Sequence, residues 1–168
     1  YGPQIGGMVN YILKNGSEFT KPFQVETFQT LGSNGLINSY NAVGGNTKRV
    51  NYYAFFDHRI ADGWRDNNEY KSNTGSGSIT YRVSKKFDLT TEFTRWNSLS
   101  QQPGGLTDLQ FNENPRQSVR SRNWFDLTWQ TTAVTGDYKF NDNNRLNVKL
   151  FSISGDRNSI GFFSSGGI

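Results

Sequence analysis

Three arginines, Arg116, Arg120 and Arg122, fall within seven positions, with Gln117 and Ser118 between the first two. A guanidinium offers a planar fork of donors that matches a carboxylate or a phosphate. The grouping points to capture of an oxygen-rich anion. The same residues also fit a basic rim against lipid phosphates, or a solvated loop. The single histidine, His58, stands between Asp57 and Arg59. Neighbours in a strand face opposite ways, so neither can form a proton relay with it, and a strand-face imidazole is expected. Gly75-Ser76-Gly77 has Thr80 where a dinucleotide fingerprint needs its third glycine, and no helix follows. Asp62, Asp66, Asn67, Asn68 and Glu69 supply oxygens that suit calcium, without EF-hand spacing; a solvated loop is the plainer reading. With no Cys, thiolate zinc sites, disulfides and Cys nucleophiles are excluded. No catalytic residue, resident metal or cofactor is expected.

These residues must be positioned by strands. The apolar period is 2, not 3.6. Gly75, Gly77, Ile79, Tyr81 and Val83 alternate with Ser76, Ser78, Thr80, Arg82 and Ser84. Phe87, Leu89, Thr91 and Phe93 oppose Asp88, Thr90, Glu92 and Thr94. Phe125, Leu127, Trp129, Thr131 and Ala133 form another alternating set, as do Leu146, Val148 and Leu150. This predicts strands over 23–31, 36–43, 50–61, 74–84, 87–99, 123–138 and 145–154, with no capped helix. Most run about 10–13 residues, against the ~5–6 of globular strands; a membrane-crossing strand needs about 9–11. Connections at 46–48, 85–86 and 141–144 are short, and those at 62–73 and 100–122 are long. The 32–35 turn is short on the long side.

Aromatics make up 15% of the residues against 33% for all apolar types, so nearly half the apolar set is Phe, Tyr or Trp. The mean hydropathy is −0.71. Together they leave a soluble β-sandwich or propeller piece, or an outer-membrane β-barrel whose lumen face is polar. Tyr52, Tyr53, Phe55, Phe56, Trp64, Trp96 and Trp124 are expected as interfacial girdles. A net charge of +4, spread without a tract, argues against nucleic acid. No apolar run reaches a helical span, and no signal-peptide leader is read.

Tyr1-Gly2-Pro3-Gln4-Ile5-Gly6-Gly7-Met8-Val9-Asn10-Tyr11-Ile12 resembles the end of the plug domain of TonB-dependent outer-membrane receptors. Tyr1, Gly2, Gly6, Gly7 and Asn10 are the matching motif positions. Pro103-Gly104-Gly105-Leu106-Thr107 and Arg116-Gln117-Ser118 are similar to the ferric-citrate branch. Asp62-Gly63-Trp64-Arg65-Asp66 looks like the family's first long hairpin. The energy-coupling box, most of the plug and the terminal aromatic strand have no counterpart here.

The resemblance implies an all-β transmembrane antiparallel barrel segment, with plug end and linker over 1–21 and barrel strands over 22–168. About seven strands are too few for a plugged barrel of about 22, and both ends read as cut. The function implied is active import of a ferric chelate of citrate or siderophore type, without enzymatic chemistry. Arg116, Gln117, Ser118, Arg120 and Arg122 would be ligand contacts on an extracellular loop. The implied partners are a TonB-type energy-transducing complex, the chelate, and outer-membrane lipid or lipopolysaccharide. The implied location is the bacterial outer membrane. The alternatives are a secreted sandwich that binds carbohydrate, or a TonB-dependent importer of oligosaccharide or peptide.

Overall fold

The computed structural model describes residues 12–161. The Tyr1, Gly2, Gly6, Gly7 and Asn10 motif lies outside the described residues. Among the described residues seven strands follow one another: β1 (Gln24–Leu31), β2 (Ile37–Asn46), β3 (Val50–Ala61), β4 (Tyr70–Ser84), β5 (Phe87–Gln101), β6 (Trp124–Lys139) and β7 (Arg145–Ile160). Each pairs antiparallel with the next, giving one open sheet in sequence order with β1 and β7 at its edges. A sandwich would need a second sheet packed on the first, and the described residues form one.

Three strands, β4, β5 and β7, are longer than the sequence pattern predicts, at 15 or 16 residues. Hydropathy marks only the half of each strand that alternates apolar with polar. The ladders continue past it, as in Tyr70↔Ser100 and Trp124↔Ile160. Strand β2 also runs through Gly44 and Gly45, which read as a turn in the sequence. Their missing Cβ atoms make room for the Phe19 ring and the Pro22 carbonyl. Gly155 likewise sits inside β7, where a Cβ would come within 2.8 Å of the Trp129 ring. Close approach, not chain reversal, explains these glycines.

The expectation of no capped helix is corrected by α1 (Asp108–Glu113). Thr107 Oγ1 accepts from Gln110 N–H at 3.3 Å, and the Gln110 side chain accepts from Thr107 N–H at 3.0 Å. This reciprocal box satisfies donors that six residues of helix cannot. Thr107→Ala is expected to cost about 1 kcal/mol. Faster amide exchange confined to Asp108–Glu113 would register it.

Register assigns the faces. Tyr52, Ile79, Thr91, Val134 and Leu150 lie in one cross-strand row. Tyr81, Leu89, Gly136 and Val148 lie in a neighbouring row. This apolar face is open: Ile79 is 55% exposed and Val148 51%. The opposite face buries polar side chains, with Ser72 at 3% and Ser78 at 9% exposure. Beyond Phe93 the apolar face turns polar through the row of Gly75, Arg95 and Gln130 and that of His58, Asn73, Asn97 and Thr128.

Strand β6 changes allegiance along its length. Val134 and Tyr138 share the apolar face, whereas Phe125, Leu127 and Trp129 alternate onto the polar one. The expected aromatic girdle divides for the same reason. Tyr52 and Phe56 stand on the open apolar face, where a girdle requires them. Tyr53, Phe55 and Trp96 face the other way. Tyr53 is 4% exposed, Phe55 packs on Tyr40 with centroids 5.3 Å apart, and Trp96 Nε1 donates to Ser72 Oγ at 2.9 Å.

Candidate functional site

At the end of the sheet carrying the long connections, residues 62–69 and 102–123 are laced into one cap. Its centre is Arg65, which the sequence reading did not single out. Its guanidinium donates to the Gln117 carbonyl at 2.7 and 3.1 Å and to the Gly104 carbonyl at 2.7 Å. Asp66 N–H donates to the Arg116 carbonyl at 2.8 Å, and Asn67 Nδ2 donates to the Arg120 carbonyl. Gly104, at φ +81°, closes against Arg120 and Val119. No local pattern announces this clamp, because its acceptors are main-chain carbonyls up to 53 positions away.

The five predicted contact residues divide between building the cap and facing outward. The Gln117 amide donates to the Gln110 carbonyl at 2.6 Å. Ser118 Oγ accepts from Arg120 N–H at 3.2 Å and donates to the Pro103 carbonyl at 3.4 Å. Both side chains are half-buried and hold the loop's shape. Arg116 lies over the Trp64 ring, 5.7 Å from its centroid. Arg116 is exposed there. Arg120 is half-buried against Gly104, and Arg122 is exposed in the turn before β6.

The other chemical candidates separate. His58 Nδ1 is 2.7 Å from Asn73 Oδ1. Asp57 and Arg59 pair with each other at 3.8 Å. Gly75, Ser76 and Gly77 sit within β4. Among the described residues no group of three or more His, Asp or Glu converges as a metal site, so Asp62, Asp66 and Glu69 do not assemble one.

The second feature is a trough of about 1070 Å³ on the polar face. Ser76, Ser78, Thr90, Thr94 and Thr131 give it a hydroxyl lining. Lys149 and Glu92 pair across it at 2.8 Å. Residues 12–15 form one wall, where Lys14 donates to both Glu26 carboxylate oxygens at 3.0 Å. That bond raises the Lys14 ammonium above its usual pKa.

The arrangement suits binding: a rigid cap with cationic and aromatic tips at one end, and a polar trough along the sheet. No protein-family model matches the chain.

Proposed function

We propose that this chain is a segment of a TonB-dependent outer-membrane receptor that imports a ferric chelate, of citrate or siderophore type, into the periplasm. The observation supporting it most is an apolar face left open on β4 and β7, with Ile79 55% and Val148 51% exposed, while Ser72, Ser78 and Ser98 are buried on the opposite face of β4 and β5. A protein in water arranges its faces the other way, and a barrel wall in lipid arranges them this way. Phe87 to Phe93, the apolar stretch of β5, spans roughly 20 Å along the strand. The remaining polar length would stand above the bilayer and carry the cap.

Lipid also demands that sheet edges be paired, so β1 and β7 would join further strands of one closed wall. Arg116, Arg120 and Arg122 would meet the chelate's carboxylates, with Trp64 positioning Arg116. A periplasmic TonB-type partner would supply the energy, and differential binding between two plug states the transport.

Uptake of iron-55 citrate by iron-starved cells tests the reading. Deleting the gene is expected to abolish uptake. In the full receptor, the combined Arg116→Ala, Arg120→Ala and Arg122→Ala variant should bind ferric citrate at least tenfold more weakly. Uptake that survives deletion, with loss of an oligosaccharide or peptide instead, would assign a different cargo to the same wall. A folded, monodisperse chain without detergent would overturn the membrane placement.

A further inference from the structure

We infer that the segment leading into the sheet is a hinged latch, with a fixed arm over residues 16–22, a pivot at Gly16 and a releasable arm over residues 12–15. The inference rests on geometry alone and does not depend on what is transported.

The fixed arm is held along its whole length. Asn46 N–H donates to the Lys21 carbonyl at 2.9 Å, and Asn46 Nδ2 donates to the Ser17 carbonyl at 3.3 Å. Tyr52 OH donates to the Pro22 carbonyl at 3.0 Å. Phe19 stacks on Tyr53 with centroids 5.8 Å apart, in the space left by Gly44. These bonds are distributed and partly main-chain, so losing any one leaves the others in place.

Gly16 is the pivot. Its φ is +84°, and a Cβ there would collide with the Tyr52 main chain. The segment therefore crosses β3 in close contact and in a conformation that favours glycine.

The releasable arm has one side-chain attachment to the sheet. Among the described residues upstream of Gly16, Lys14 alone reaches it, through Glu26 and over the Tyr53 ring at 5.7 Å. Asn15 turns its side chain back to Ser17. Ile12 is 89% exposed and Leu13 51% exposed, so neither is buried in the sheet. The hook's seat is prepared independently of it: Tyr53 OH donates to Glu26 at 3.0 Å and contacts Tyr40 OH at 2.5 Å. Lys14 can leave while Glu26 keeps a partner, so release need not disturb the sheet. Because residues 12–15 wall the trough, release would open it on that side.

No cysteine occurs in these 168 residues, so introduced cysteines are the only ones within them to carry spin labels. One pair, Ile12→Cys with Phe151→Cys, spans the trough in the full protein. A second, Lys21→Cys with Asn41→Cys, reports the fixed arm. Lys14→Met is expected to lengthen the first distance by about 5 Å or more and broaden it, within the roughly 14 Å that four extended residues can reach. The second distance should stay unchanged. The exchanged pair Lys14→Glu with Glu26→Lys should restore the first. An unchanged first distance overturns the latch. So does movement of both pairs together, because the arms would then be one unit.

Discussion

Ile79→Arg should cost about 2–4 kcal/mol when the protein is unfolded from lipid vesicles, and close to nothing in water. Ile79 is 55% exposed, in the row shared with Tyr52 and Thr91. An exposed position away from special structural features normally tolerates substitution within about 0.5 kcal/mol in aqueous solution. If lipid covers this face, the guanidinium must instead be desolvated or drag water into the hydrocarbon. Ser154→Arg is the internal control. It lies on the same face, in the polar row with Gln130, and is expected to cost under about 1 kcal/mol. Equal, small effects at both sites would mean that water, not lipid, meets the apolar rows.

Arg65→Ala should loosen the whole cap while leaving the sheet intact. Three charge-assisted bonds end on the carbonyls of Gln117 and Gly104. Hydrogen bonds to a charged group contribute about 1.5–3 kcal/mol, and acceptors stripped of their partner add to the loss. A local cost on the order of 3 kcal/mol corresponds to roughly a hundredfold rise in opening of residues 102–123. Limited proteolysis and amide exchange would both read it. Arg65→Lys should recover less than half, because an ammonium donates from one nitrogen and lacks the planar fork whose three nitrogens reach these carbonyls. Unchanged exchange in the cap would show that Asp66 and Asn67 suffice to hold it.

The sequence reading fared best where one face repeats. The Ile79 and Leu89 alternations placed β4 and β5 to within a few residues, and the Lys85-Lys86 turn between them. It failed where a reason was distant. Gly44 and Gly45 read as a turn, and Gly155 as lying past the end of its strand, because the rings and carbonyl they accommodate belong to other segments. The polar ends of β4 and β7 have no apolar period to detect, yet pairing extends them. At the cap, Arg116 was legible as a cation, but its seat on Trp64 was not. Arg65 escaped notice because main-chain acceptors leave no mark on composition. Thr107 and Gln110 stand at a Thr-x-x-Gln spacing that the sequence reading passed over, and the short α1 they cap lacks the length from which a helical period is read.

Every pairing in the sheet joins neighbours in sequence, from β1·β2 to β6·β7. Its consequence is kinetic. Each new strand needs only the loop just made to find its partner, so the entropic cost of closing long loops is largely avoided. The sheet can therefore grow by accretion at a single moving front, hairpin after hairpin, with the registers already laid down left undisturbed. Chain order then doubles as assembly order. An error in β3 would be felt by everything added after it, whereas one in β7 would leave six strands already in place.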